Sequence, residues 1–230
     1  MKEEKKHEKI KDVSFKEMNR EQKLEYIWDY YKFYIIGAVV AIVIIISLIG
    51  TFIEGNREVE MYCAVFNDYG NGEIIDKIQK EYPSFIGKED AYISVDGGYP
   101  FAEPTEGSLM TTPEDSSVVK IMTLFSAGDV DVVISDYGSM LFAKDQKLIA
   151  PLDEALPKEL FEKLSPYYVY ADYNERGGKG DGKVYALDIS DTAFFKDCAY
   201  SYTDGVICVS SVTESPEKAA DFVRYVFNMK

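Results

Sequence analysis

Residues 35–53 read IIGAVVAIVIIISLIGTFI, nineteen positions without a charged side chain. At about 1.5 Å per helical residue the run reaches ~28 Å, close to the hydrocarbon thickness of a bilayer. A helix buried in a soluble core keeps polar positions on one side and seldom stays apolar past ~14 residues. A cleaved secretory signal has an apolar region of ~7–15 residues that ends at small residues. Here the exit is Gly50, Thr51, Phe52, Ile53 and Glu54, with no A-x-A pattern. The first cysteine, Cys63, lies ten residues beyond Ile53, too far for lipoprotein processing. The stretch predicts an uncleaved signal anchor, with one transmembrane helix from Ile35 to Ile53.

Outward from this span, the basic residues are unequal. Lys16, Arg20, Lys23 and Lys32 precede it, whereas Arg57 alone lies within twenty residues after it. Lys and Arg collect on the cytoplasmic side, so the expectation is a single-pass cell-membrane protein with a cytoplasmic N-terminus and an extracellular C-terminal domain. Trp28, Tyr30, Tyr31, Phe33 and Tyr34 crowd the inner boundary, where rings with polar edges prefer to sit. Ser14 and Glu17 form a capping-box pattern, and neither Gly nor Pro follows until Gly37, so one helix is expected from about Phe15 through the membrane. Phe15, Met18, Leu24, Ile27, Trp28 and Tyr31 give it an apolar stripe. The Phe15 to Tyr34 segment is thus a candidate contact for a membrane-protein partner, or equally an interfacial anchor. The organisation read from the sequence is a charged cytoplasmic tail (1–14), a juxtamembrane and transmembrane helix (15–53), a linker (54–58) and an extracellular domain (59–230).

The chain carries a net charge of −15. Residues 1–53 hold nine basic and eight acidic side chains, which leaves sixteen basic against thirty-two acidic beyond them. A domain at about −16 repels nucleic acid and anionic lipid headgroups, and no nucleic-acid partner is expected. Three cysteines, Cys63, Cys198 and Cys208, cannot all pair within one chain. Cys198 and Cys208 flank the turn-like Tyr202 to Gly205 and are open to pairing across a hairpin, but small buried apolar residues are the preferred reading. The only histidine is His7 in the tail, so no metal site is expected in the domain.

Beyond the linker, strand-like and helix-like segments alternate. MYCAVFN reads as a strand, Gly72 to Tyr82 as a helix and AYISVD as a second strand. Pro113, Glu114 and Asp115 open a helix through Phe125, and VDVVIS reads as a buried central strand before a short helix to about Lys144. YYVYAD, KVYALDIS and VICVSS are further strands, and a helix from Pro216 to Phe227, capped by Ser215, closes the chain. The alternation predicts an α/β fold, one three-layer domain on a mostly parallel sheet.

Residues 121–157, IMTLFSAGDVDVVISDYGSMLFAKDQKLIAPLDEALP, resemble the first lobe of type 2 periplasmic binding proteins, the extracellular solute-binding components of ABC importers. Ala127, Gly128 and Asp129 lead into Asp131, Val132, Val133 and Ile134, and Leu148, Pro151, Leu152 and Asp153 match a later segment of that family. DGKVYALD and SPEKAADFVRYVF follow in the family's order. The resemblance implies one lobe of a solute-binding fold and a small solute as ligand. Most of a second lobe separates the last two strands in the family, whereas here about fifteen residues do. The expected domain is therefore first-lobe-like, with most of the second lobe missing, and closure of two lobes on a ligand is not inherited.

In an open α/β sheet a ligand site lies outside the carboxyl ends of the strands. This selects Asn67, Asp68 and Tyr69, then Asp96, Gly97, Gly98 and Tyr99, then Asp136 and Tyr137, and finally Asp188. Such acids and tyrosines suit a cationic or sugar-like ligand, and the same residue types are ordinary in turns. GGKGDGK (177–183) matches a P-loop spacing, but Val184 stands where Ser or Thr must hold magnesium, so it reads as a flexible loop. DYNERG, from Asp172, starts like a calcium loop but puts Arg176 and Lys183 at ligand positions. There is no G-x-S-x-G elbow and no histidine in the domain. The sequence predicts no catalysis and no cofactor. The expected function is a membrane-anchored binding or sensing module, with a protein-interaction or scaffold subunit as the alternative.

Overall fold

The computed structural model describes residues 19–55, 58–68, 72–102, 112–171, 181–198 and 204–229. The charged tail with its Ser14/Glu17 pattern, Tyr69 and residues 172–180 lie outside the described residues. The chain divides into two compact units, Met1–Arg57 and Glu58–Lys230.

In the first unit, helix α1 (Arg20–Gly55) runs for 36 residues, about 54 Å at the helical rise. It contains no proline, so its backbone ladder satisfies its own donors and acceptors, as a lipid environment requires. The window Tyr31–Gly50, 20 residues with mean hydropathy 2.9, is long and apolar enough to cross a membrane, and none of it is buried. That window begins within the aromatic border, at Tyr31, and there Lys32 Nζ lies 5.6 Å from the centre of the Phe33 ring.

The second unit is built on strands β1 (Val59–Phe66), β2 (Tyr92–Tyr99), β3 (Phe101–Ala102), β4 (Thr112–Pro113), β5 (Val132–Ser135), β6 (Tyr168–Tyr170), β7 (Val184–Asp188) and β8 (Val206–Val209). Six of these form one sheet in the order β2-β1-β5-β8-β7-β6, while β3 and β4 pair separately. β1 is parallel to both β2 and β5, and the pairs β5/β8, β8/β7 and β7/β6 are antiparallel. Four of the six strands therefore point one way, and the sheet is mostly parallel in strand direction. β6 and β8 run against the rest.

Helices cover both faces, which gives the three layers expected from the alternating pattern. On one face α2 (Glu73–Phe85), α5 (Leu152–Ala155), α6 (Lys158–Lys163), α7 (Ala193–Lys196) and α8 (Pro216–Val226) pack against Met61, Cys63, Val65, Val132, Ile134, Ile207 and Val209. On the other, α3 (Asp115–Ala127) and α4 (Tyr137–Asp145) cover Ala64, Phe66, Val133, Val206 and Cys208. The two-residue alternation along β1, β5 and β8 divides the strand residues between the two cores. α2 reaches the sheet with Ile74, Ile78 and Tyr82, one face of a helix at four-residue spacing. Phe222 of α8 is fully buried with its ring 5.1 Å from Tyr82.

Local differences from the sequence reading have physical causes. Pro113 does not open a helix but pairs with Phe101 in the short β3/β4 ladder, so α3 starts at Asp115, with Glu114 at its cap. Its end is marked by Gly128 in the left-handed region at φ 80, the usual glycine stop. Ser215 stands at the start of α8, but its side chain makes no capping bond. The cysteines are unpaired. Cys63 and Cys208 are buried in opposite cores and Cys198 is half-buried.

At the entry to β8, Gly205 lies against the ring of Phe195, and a Cβ there would collide with it. Phe195 is itself buried and has little room to yield. Gly205→Ala is expected to destabilise the domain by about 1–3 kcal/mol, read as a lower midpoint in chemical denaturation of the full chain in detergent.

Candidate functional site

Because β1, β2, β5 and β7 run the same way, their carboxyl ends gather at one edge of the sheet. The chain leaves β1 at Asn67 with φ 59, a left-handed conformation that asparagine tolerates better than most residues. The Asn67 backbone N–H donates to the Tyr99 carbonyl at 3.1 Å. Its side chain then joins three segments. The Phe101 N–H donates to Asn67 Oδ1 at 2.8 Å, while Asn67 Nδ2 donates to Asp136 Oδ2 at 2.7 Å and to Ser139 Oγ at 3.0 Å. A backbone donor on one side and a carboxylate on the other fix which end of the amide faces which.

Asp136 is the residue before α4 and caps it, accepting from Ser139 N–H at 2.9 Å and from Ser139 Oγ at 2.6 Å. A carboxylate at a helix start meets the positive end of the backbone dipole. Asn67, Asp136 and Ser139 are 1%, 4% and 0% exposed. Among the described contacts the donors and acceptors match: both amide hydrogens are used, the serine hydroxyl donates to the carboxylate and accepts from the amide, and the carboxylate accepts three bonds. A buried charge of this kind is tolerable because it is bonded on all sides.

Asp96 belongs to a separate group. Lys120 Nζ of α3 lies 2.9 Å from it, the Gly98 N–H donates at 3.1 Å and the Tyr99 hydroxyl at 2.9 Å. Burial pushes the Asp96 carboxyl up, but the bonds from Lys120, Gly98 and Tyr99 and the charge of Lys120 together hold it below its usual value. Lys120 Nζ also sits 4.4 Å from the centre of the Tyr99 ring. Burial pushes the Tyr99 phenol far up, with Tyr62 and Asp96 adding to the effect. Gly97 is bare for packing reasons, since a Cβ there would stand 2.8 Å from Ile75 Cδ1 and 3.0 Å from Asp68 Oδ2.

The structure thus brings Asn67 together with Asp136, Asp96 with Tyr99, and Asp68 with Gly97. Tyr137 opens α4, with its N–H 3.4 Å from Asp204 Oδ2 and its hydroxyl 3.5 Å from the Tyr170 carbonyl. Asp188 is exposed at the end of β7 and accepts from the Ser190 N–H at 2.9 Å, an ordinary turn contact. Tyr69 lies outside the described residues. Sequence reading passed over Ser139, although an aspartate just before a helix is a preferred cap for the backbone N–H two or three residues on, here that of Ser139. It also passed over Lys120 and Asp204, which come from distant segments and carry no local sign of their role.

A groove of about 630 Å³ lies elsewhere, on the helical face formed by α2, α7 and the end of α8. None of the strand-end candidates lines it.

No protein-family model matches the sequence, and no curated protein matches it. Among solved structures the chain is similar to an extracellular solute-binding protein family 1 from Alicyclobacillus acidocaldarius subsp. acidocaldarius DSM 446, with 13% identity and a TM-score of 0.34. The match covers 58% of this chain and 28% of that one. A likeness at this level carries no argument about ligand or activity.

Asn67→Ala removes a partner from both the Phe101 N–H and the Asp136 carboxylate inside the protein. The expected loss is about 3 kcal/mol, measured by chemical denaturation, whereas Asp188→Ala leaves the unfolding midpoint unchanged.

Proposed function

We propose that this chain is a membrane-anchored, non-catalytic binding or sensing module. In this reading α1 spans the cell membrane with its N-terminus in the cytoplasm, and the α/β domain works outside the cell. The uncharged run of α1 and the basic residues before it support the anchor and its direction. The absence of histidine beyond His7 takes the commonest acid–base side chain out of the domain, in keeping with a non-catalytic reading.

The observation that carries the binding role is the groove on the α2/α8 face, set in a domain where Asn67, Asp136 and Ser139 at the strand ends are bonded to one another. Recognition would then use a surface already formed rather than closure over the strand ends. A second reading, an interaction or scaffold subunit, is favoured by α1 itself. Leu24, Trp28 and Tyr31 lie on one side of its first turns at 69%, 59% and 49% exposure, an unpartnered stripe suited to another helix.

Two measurements on the full chain test the reading. After alkaline carbonate extraction it is expected in the membrane pellet, with the C-terminal domain cleaved by protease added to intact cells. Thermal-shift screening in detergent with amino acids, sugars, polyamines and metals is expected to find a stabilising solute. Release into the supernatant, or a protected domain, overturns the anchor or its direction. A chain that no solute shifts and that co-purifies with a stoichiometric membrane partner supports the second reading instead.

A further inference from the structure

The groove on the α2/α8 face has a chemistry of its own. Its 630 Å³ falls within the range of small-molecule sites, about 300–1,000 Å³. Aromatic rings make up much of its wall. Phe85 and Tyr225 meet edge to face at 5.5 Å, and Tyr167 and Phe227 lie 4.8 Å apart. Behind them Tyr82 and Phe222 are buried, whereas Phe85 and Tyr167 remain 37% and 38% exposed. The aromatic core therefore continues to the surface, where Phe85 and Tyr167 are partly exposed.

The charges point to the sign of the occupant. Lys77 lies in the groove with only 15% of its side chain exposed, 3.4 Å from Asp197 and 5.6 Å from the centre of the Phe194 ring. One ammonium is thus already held between a carboxylate and a ring, and its charge is answered by Asp197. One helical turn further along α2, Glu81 has a phenol as its described contact, the Tyr225 hydroxyl at 3.2 Å, rather than a cation. The surroundings are net negative. The Cys198 thiol, raised first by burial and opposed by Lys77, is raised further by Asp197, Glu73 and Glu81. A domain at about −16 also draws cations toward it over longer distances.

We infer that this groove is a binding site for a small organic cation with an apolar body. The cationic head sits at the Glu81 carboxylate against the faces of Phe85 and Tyr225, and the apolar body lies along Tyr167 and Phe227. A carboxylate supplies the charge, and the rings supply both apolar contact and the attraction of a ring face for a cation. An anion of the same size meets the Glu81 carboxylate, while the one lysine in the lining, Lys77, is already engaged with Asp197.

This inference rests on the binding-module reading and names its ligand class and place. Its test uses the full chain in a non-ionic detergent, with benzyltrimethylammonium as probe and 3-phenylpropionate as the anionic comparator, by saturation-transfer NMR and equilibrium dialysis. The expected result is saturable binding of the cation, weakened roughly fivefold or more by Glu81→Gln and by Phe85→Ala, with no saturable binding of the anion. Glu81→Gln keeps an acceptor for the Tyr225 hydroxyl, so the fold is retained. Asp188→Asn, at the strand ends, leaves binding unchanged. Equal binding of the anion, full binding by Glu81→Gln, loss with Asp188→Asn, or no binding of the cation overturns the inference. If another solute class stabilises the chain while benzyltrimethylammonium does not bind, the inference falls and the binding-module reading stands.

Discussion

The side-chain amide of Asn67 is the junction on which the carboxyl edge of the sheet depends. It leaves β1 in a left-handed turn and bonds at once to the backbone at Phe101, the carboxylate that caps α4 and the hydroxyl of Ser139. Each of those groups is buried away from water, so each needs a partner inside the protein. A single residue thereby sets where β3 departs, where α4 begins and how both sit on β1. At the strand ends, where open α/β sheets usually receive ligands, the side chains of Asn67 and Asp136 are engaged in these bonds.

That constraint directs attention to the opposite helical face. Tyr82, Phe222, Tyr225 and Phe85 form a continuous run of ring contacts at 5.1 to 5.5 Å, from the core of the domain to its surface. The groove beyond them combines rigid aromatic walls with a carboxylate that no described cation answers. In the other unit, α1 supplies the complementary half of the account: a helix whose apolar side chains are not buried by the described chain. By length and composition it is a segment able to cross a membrane.

Much of the fold was legible because the relevant signals are local. MYCAVF and VVIS carry the continuous apolar runs of strands covered on both faces, and Ile74, Ile78 and Tyr82 carry the spacing of a one-sided helix. Strand direction is not local. VICV is equally a good strand either way, and its antiparallel place between β5 and β7 is decided by packing across the whole domain. Pro113 was misleading because a proline suits both a first helical turn and an edge-strand position, and its pairing with Phe101 decides between them. Asn67, Asp96 and Asp136 were found as strand-end residues, but their partners Ser139, Lys120 and the Phe101 backbone were not. The groove was invisible for a further reason: its wall joins α2, Tyr167, α7 and the end of α8, which meet only after the sheet has formed.

The most direct measurement is the exchange and chemical shift of the Asn67 side-chain amide protons, followed by NMR on the full chain in detergent while stabilising solutes are added. Both protons are expected to be strongly protected and to stay in place on addition of any such solute, while resonances of Phe85 and Tyr225 move. Rapid exchange at Asn67, or a shift at Asn67 that tracks solute binding with the groove unaffected, would contradict the account and return recognition to the strand ends.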